Sequence, residues 1–215
     1  MKLLRRDRNL NAMNSKRNLI TTTGALLMSS LLQPAWAQTQ RRATPSQTEG
    51  PFYPVAEPKD ADYDLLKNGT LAYIKGQPSW VEGMVTDLDG APLKGGVIEI
   101  WQCDEAGHYD HPRDGSKIDP SFQGFGRVTL SAAGQFKFRT IKPPPYSGRT
   151  PHIHAKIKLG NRELVTTQLY VANDPGNEKD FIWRRMSAED RAIVTSPYTP
   201  VADGLRVQYA LAVRV

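Results

Sequence analysis

Residues 151–159 read Pro-His-Ile-His-Ala-Lys-Ile-Lys-Leu, an alternation of polar and apolar side chains. Side chains two apart in a strand project from the same face of a sheet. The stretch therefore predicts a β-strand that presents His152 and His154 together, with its apolar side chains facing the other way. Two imidazoles on one face are a common start to a metal site. Lys156 and Lys158 leave an alternative open, in which this face is an ordinary polar surface in solvent.

Similar short alternations occur on both sides of this strand. They lie at residues 81–85, 97–101, 128–130, 136–138, 164–171 and 205–213. Turn sequences such as Asp89-Gly90 and Ala133-Gly134 separate them, and many short strands divided by turns favour a sandwich or a barrel. Only residues 187–194 have a helical pattern, in which Ser187 and Asp190 are spaced as a capping box. We therefore predict an all-β protein, a β-sandwich with an irregular N-terminal arm and at most one or two short helices.

The net charge of +6 is concentrated near the start of the chain. Residues 1–37 hold six basic side chains against Asp7 alone, and the remaining chain holds 22 basic and 21 acidic side chains. A nearly neutral body offers no electrostatic footprint for nucleic acid, so we expect no nucleic-acid partner.

Residues 1–37 have the pattern of a secretory signal peptide. Basic residues precede an apolar run at 19–32, and Ala35-Trp36-Ala37 supplies a small-x-small cleavage site. We expect cleavage after Ala37, a periplasmic or extracellular protein, and no stable membrane insertion after cleavage. A retained membrane anchor is the alternative, but the apolar run is short and rich in Ser and Thr. Lys16-Arg17 resembles a twin-arginine export signal with Lys in the first position.

The predicted organisation is a signal peptide at 1–37, an N-terminal arm at 38–78 and a β-sandwich core at 79–215. Cys103 is the single cysteine of the chain, so no intrachain disulfide can form. We expect it to be a buried apolar side chain rather than a metal ligand.

Two tyrosines belong to the same neighbourhood as the histidine pair. Tyr146 follows the prolines at 143–145, which hold the connection to the next strand in an extended form. Tyr109 lies between His108 and His111. Phenolate oxygens are hard ligands that suit a highly charged ion such as ferric iron. Two tyrosines grouped with a His-x-His pair therefore favour a metal site over an accidental set.

In these residues the chain resembles the intradiol ring-cleavage dioxygenases, including the iron-bearing subunit of protocatechuate 3,4-dioxygenase and shorter exported relatives. The matching segments are residues 44–54, 98–102, 107–109, 122–127, 140–143, 149–154 and 166–170. The resemblance therefore extends over nearly all of the chain after the leader.

The resemblance implies a non-haem Fe(III) site held by four side chains. Tyr109 and His152 would be equatorial ligands, and Tyr146 and His154 would be axial. Tyr146 would also leave the metal and accept a proton from the substrate. His108 and the neighbouring His111 are expected to orient the site through hydrogen bonds or to lie on the surface.

The resemblance also implies residues that act on the substrate. Arg149 would lie against the substrate ring and stabilise the negative charge that develops there. Gln168 would lie near the substrate and the oxygen pocket. Gly50 and Pro51 would help to wall an active site, either their own or that of a neighbouring subunit.

The implied reaction uses O2 to open a catechol-type ring between its two hydroxylated carbons and releases a muconate-type diacid. The implied partners are a small catechol-type substrate and O2, the assembly is a homo-oligomer, and no organic cofactor is needed. Only five residues separate Tyr146 from His152, where protocatechuate enzymes carry a longer insert. Catechol, hydroxyquinol, protocatechuate and larger phenols therefore all stay open as substrates.

An exported β-sandwich module that binds a metal or another ligand without turnover is the competing hypothesis. Its support is the leader and the pattern at residues 83–95, which many extracellular β-sandwich modules share. In that case His152 and His154 would bind zinc or copper.

Overall fold

The computed structural model of the chain describes residues 41–56 and 58–215. Its strands are β1 (Lys67–Asn68), β2 (Leu71–Ala72), β3 (Pro78–Asp87), β4 (Gly96–Trp101), β5 (Phe125–Thr129), β6 (Gln135–Ile141), β7 (His152–Leu159), β8 (Arg162–Val171), β9 (Thr195–Ser196), β10 (Thr199–Val201) and β11 (Gly204–Val213). The helix is α1 (Ala188–Val194), and single 3-10 turns lie at Pro112–Asp114, Asn177–Lys179 and Trp183–Arg185.

Two larger sheets form the body of the protein. The first has the strand order β10-β11-β3-β6, and the second has the order β5-β4-β7-β8-β9. Most neighbours are antiparallel, but β11 pairs with β3 in parallel along nine residues from Leu205 to Val213. The last long strand thus lies beside the first. The predicted all-β sandwich is confirmed, with a single short α-helix in the described residues.

The hydrophobic core fills the space between the two sheets because each strand turns alternate apolar side chains inward. Its buried members include Val81, Val85, Phe138, Val207 and Leu211 from the first sheet and Ile98, Ile100, Ile153, Ile157 and Leu169 from the second. The alternation predicted for 205–213 is confirmed, since the odd-numbered side chains of β11 are buried.

Strand β7 lies between β4 and β8, so its backbone is hydrogen-bonded on both sides. Its isoleucines enter the core, as predicted. The opposite face is also covered, because His152, His154 and Lys156 are each 5% exposed or less. The alternative of a solvent-exposed polar face is therefore wrong.

The cover over this face comes from the N-terminal arm. Its backbone is fixed to the sandwich at two places, where Thr44 N–H donates to the Ala212 carbonyl and Gln47 N–H donates to the Thr166 carbonyl, both at 2.8 Å. Beyond Gln47, the arm lies across β7, where Glu49 pairs with Lys156 and Gly50 lies against His154.

Three smaller predictions can be compared with the structure. Helix α1 begins after Ser187, whose hydroxyl accepts a hydrogen bond from Asp190 N–H at 3.1 Å, as the capping box predicts. Cys103 is a buried free cysteine, as expected. The helix in the described part of the chain is too short to cross a membrane. The predicted signal peptide lies outside the described residues.

Candidate active site

Strand β7 places two histidine side chains together at its N-terminal end. The Nε2 atoms of His152 and His154 are 3.3 Å apart. The Nδ1–H group of His152 donates to the Thr150 carbonyl at 2.7 Å, because a carbonyl can only accept. This bond leaves the lone pair of His152 on Nε2, on the side of its neighbour. His154 in turn is stacked on the Trp101 ring, with ring centres 4.9 Å apart.

Both histidines are neutral at physiological pH. Burial lowers the pKa of His152 to about 4, and the nearby cation of Arg149 acts in the same direction. Burial, then His152 and Arg149, hold the pKa of His154 well below its usual value. Neutral imidazoles with free lone pairs are the form that binds a metal ion.

Tyr146 reaches this pair from a tight turn just before β7. Arg149 N–H donates to the Tyr146 carbonyl at 2.7 Å, and the two residues between them have positive φ angles, 44° at Ser147 and 75° at Gly148. Two positive φ angles define a type I′ turn, in which Gly is favoured. The turn brings the Tyr146 hydroxyl to 3.5 Å from His152 Nε2.

Tyr109 completes the group from the loop that follows β4. Its backbone N–H donates to the Asp114 carboxylate at 2.8 Å, which fixes the loop. Its ring centre lies 5.0 Å from that of Tyr146 and 6.0 Å from that of His154. The buried Tyr109 hydroxyl has no hydrogen-bond partner among the described residues. Burial raises its pKa well above the usual value, so a cation must be present for it to become a phenolate.

The four predicted ligands Tyr109, Tyr146, His152 and His154 are therefore brought together. A buried phenol without a described hydrogen-bond partner, beside two neutral imidazoles, fits a cation-binding site, because buried polar groups normally have partners. Two phenol oxygens suit a hard ion such as Fe(III). The described residues contain no cluster of three or more His, Cys, Asp or Glu side chains that could hold a metal, and beside His152 and His154 the further candidate donors are the two tyrosines.

Arg149 lies next to this group and is held from two sides. Its Nε–H donates to Asp180 Oδ2 and its Nη2 to Gln168 Oε1, both at 2.7 Å. Burial raises the pKa of Asp180, but the hydrogen bonds from Arg149 and from the backbone N–H groups of Trp183 and Thr150 together outweigh it and keep the pKa below its usual value. The predicted pair Arg149 and Gln168 is thus in direct contact, while Asp180 was not predicted.

The arm contributes residues to the site of its own chain. A Cβ atom on Gly50 would lie 3.3 Å from His154 Cε1, and the φ angle of 77° is one that L-residues rarely adopt. Pro51 is exposed. Phe52, which was not predicted as a site residue, stacks on Tyr109 with ring centres 4.7 Å apart. A neighbouring subunit is not needed to bring Gly50 to the site.

The two remaining histidines have separate places. His108 is partly exposed and faces the Asp114 carboxylate at 3.3 Å. His111 is buried, accepts a hydrogen bond from Arg113 N–H at Nδ1, and lies against the edge of Phe52. Both therefore contact the loop around Tyr109.

A groove with a volume of about 990 Å³ in the described part of the surface lies elsewhere. It includes side chains of the first sheet, among them Trp80, Met84 and Lys137, and none of the four predicted ligands. The candidate active site is therefore identified by the convergence of donor atoms and not by this groove.

Comparison with known proteins adds independent information. A family model described as "Dioxygenase" matches residues 48–213. The protocatechuate 3,4-dioxygenase beta chain of Burkholderia cepacia is 34% identical over 161 residues, 66% of either chain. Hydroxyquinol 1,2-dioxygenase of Rhodococcus opacus is 29% identical over 185 residues, 77% of this chain and 59% of that protein. The chain thus spans less than two thirds of the length of these curated relatives.

Solved structures agree with this result. The dioxygenase domain of a dioxygenase and carbohydrate-binding fusion from Streptomyces sp. SirexAA-E superposes with a TM-score of 0.65 at 29% identity, covering 81% of this chain and 99% of that one. An intradiol ring-cleavage dioxygenase from Tetranychus urticae has the same TM-score at 21% identity, covering 80% of this chain and 94% of that one. This second likeness supports the fold alone. From the family match and the fold together, the chain belongs to the intradiol ring-cleavage dioxygenase family.

Proposed function

We propose that the chain is a non-haem Fe(III) dioxygenase that opens a catechol-type ring between its two hydroxylated carbons. The observation that carries the proposal is the convergence of Tyr109, Tyr146, His152 and His154 in a buried site where the Tyr109 hydroxyl has no hydrogen-bond partner within residues 41–56 and 58–215. The curated relatives named protocatechuate and hydroxyquinol dioxygenases support the same class of substrate.

The side chains of Tyr109, Tyr146, His152 and His154 would hold the iron. Ferric iron bound there would supply a Lewis acid for the two oxygens of a catechol. The chain itself supplies neutral imidazoles and two phenol oxygens in a site that is already assembled and largely shielded from water.

Tyr146 is the residue best placed to move a proton. It is only half buried, whereas Tyr109 is fully buried, and it lies on a turn outside the sheet. A phenolate at this position can accept a proton from a substrate hydroxyl as the substrate enters. Arg149 would then offer a fixed cation to the negative charge on the ring, and Gln168 would orient Arg149.

Oxygen uptake on a panel of catechols tests the proposal, with product spectra to separate a muconate from a semialdehyde. The purified full-length protein should contain one equivalent of iron and be red to burgundy, because tyrosinate-to-iron(III) charge transfer absorbs visible light. A colourless protein that stays inactive after reconstitution with iron would refute it. One equivalent of zinc and no oxygen uptake on any catechol would instead indicate a metal-binding module without turnover.

We also propose that the protein is exported in a folded state. The four ligands come from residues 109 to 154, on two loops or turns and one strand, so the unfolded chain cannot hold iron in this arrangement. Iron loading in the cytoplasm then requires folding there, and a folded chain needs a pathway that transports folded proteins. Lys16-Arg17 in the leader supports the twin-arginine route.

Arg17→Lys is expected to stop export and leave a folded, iron-loaded precursor in the cytoplasm. The measurement is the distribution of precursor and mature protein between cell fractions, with iron analysis of each. Arg8→Lys is the matched control, because it makes the same change in the leader outside both the Lys16-Arg17 pair and the Arg5-Arg6 pair, and export should continue. Normal export of Arg17→Lys that stops when the pathway for unfolded chains is disabled would show that iron is acquired outside.

A further inference from the structure

We propose that Asp180 is a positioning residue that fixes the orientation of the Arg149 guanidinium beside the candidate iron site. This inference rests on the proposed function, since it gives Arg149 the task of stabilising charge on a substrate ring. Asp180 lies outside the strands, between the 3-10 turns Asn177–Lys179 and Trp183–Arg185.

The Asp180 carboxylate joins two segments that are distant in sequence. Oδ2 accepts from Arg149 Nε–H at 2.7 Å and from Thr150 N–H at 3.1 Å. Oδ1 accepts from the N–H groups of Ile182 at 2.9 Å and Trp183 at 3.0 Å. The side chain is fully buried, so water does not compete for these bonds. The carboxylate therefore ties the start of β7 to the turn after β8.

Two fixed nitrogens determine the plane of the Arg149 guanidinium. Asp180 holds Nε, and Gln168 Oε1 accepts from Nη2 at 2.7 Å. Gln168 is itself held, because its Nε2 donates to the Thr48 carbonyl at 3.0 Å. No hydrogen bond within the described residues involves Nη1. With Nε and Nη2 held, the N–H groups of Nη1 are left to donate to a ligand.

The charge of Asp180, and not only its size, is required for this arrangement. A carboxylate accepts at both oxygens, whereas an amide presents an NH2 group on one side. In Asp180→Asn, that NH2 group would face either the Arg149 and Thr150 donors or the two N–H groups of the turn. One pair of donors loses its acceptor in either orientation, so the guanidinium is released or the turn moves.

Asp180→Asn in the full-length iron-loaded protein is expected to lower kcat about 100-fold, since a misplacement of about 1 Å can have an effect of this size. The iron content should not change. In an Arg149→Ala background, the same substitution should lower kcat by less than about threefold, because it acts through a residue that is gone. Asp190→Asn is the matched control, since the Asp190 carboxylate also accepts a hydrogen bond from an arginine. Its partner is Arg42 Nε–H at 2.8 Å, in an exposed pair whose members are 148 positions apart in sequence. This control should leave kcat unchanged.

Equal losses of kcat with and without Arg149, or a loss of iron that accounts for the lost activity, would overturn the proposal. If Asp180→Asn does not fold, Asp180→Glu decides, because it keeps the charge but moves the carboxylate by one methylene. It is expected to lower kcat about tenfold at unchanged iron content. A wild-type kcat in Asp180→Glu would then overturn the proposal.

A crystal structure of Asp180→Asn separates this inference from the proposed function. The guanidinium of Arg149 should be displaced by about 1 Å or more while His152 and His154 stay in place. If the wild type turns over no catechol, the proposed function fails, yet the displacement still decides the role of Asp180. An active wild type with an unmoved guanidinium in the variant would refute the positioning role alone.

Discussion

His154→Ala is expected to remove most of the iron from the protein and to lower kcat/KM at least about a thousandfold, since a bound metal supplies several kcal/mol of stabilisation. His154 Nε2 lies 3.3 Å from His152 Nε2, and its ring is buried between Trp101 and the arm at Gly50. Alanine would leave three donors and a cavity at the centre of the site. Metal analysis and oxygen uptake on the same preparation measure both effects.

His111→Ala is the matched control for this substitution. His111 is also a buried histidine, and its ring lies 5.8 Å from that of Phe52 in the same aromatic cluster. Its Nδ1 accepts from Arg113 N–H, so its role is to hold the loop. The variant should keep its iron and lose at most about tenfold in activity. Retention of iron in His154→Ala together with its loss in His111→Ala would show that the ligand assignment is wrong.

The strands and the face that carries both histidines could be predicted because the signal is local. A period of two in residues 151–159 is enough to show that His152 and His154 share a face. The same rule identifies β11 at the end of the chain. The alternation does not show whether that face is exposed to solvent, because its exposure depends on a segment that is distant in sequence.

The arm is that segment, and its contacts are long-range. Gln47 Nε2 donates to Thr167 Oγ1 at 3.0 Å, across 120 positions of sequence. Lys156, which looks like a surface residue in the alternation, is paired with Glu49 and lies 3.8 Å from the centre of the Tyr53 ring. No pattern within β7 predicts these partners, so the covered face was visible only in the structure.

Asp180 was missed for a related reason. It lies in a stretch of 3-10 turns that has neither a helical nor a strand period, and it is 31 positions from Arg149. An aspartate in such a stretch usually caps a turn, and this one also does so, at Ile182 and Trp183. Its second role, as acceptor for Arg149, needs the packing of two loops and has no local signature.

Tyr146→Phe is expected to keep the iron but to slow the entry of substrate by about 10² to 10⁴, the usual contribution of a positioned acid or base. The variant loses one hydroxyl and no ring contact, and Tyr109, His152 and His154 remain as donors. Since the Tyr146 hydroxyl lies 3.5 Å from His152 Nε2 on a turn outside the sheet, its removal should not disturb the strand that carries both histidines. Stopped-flow absorbance on mixing with a catechol measures the entry step.

Tyr53→Phe makes the same chemical change away from the proposed ligands and should behave like the wild type in this experiment. The Tyr53 hydroxyl donates to Glu99 at 2.8 Å, so its loss weakens the attachment of the arm without removing a ligand. The comparison of iron content with entry rate distinguishes the two roles proposed for Tyr146.

If the hydroxyl serves only to bind iron, Tyr146→Phe will lose metal in proportion to its activity. If it also accepts the proton of the substrate, the metal stays and the entry step slows. Full iron content with a wild-type entry rate would contradict the proposed role in proton transfer.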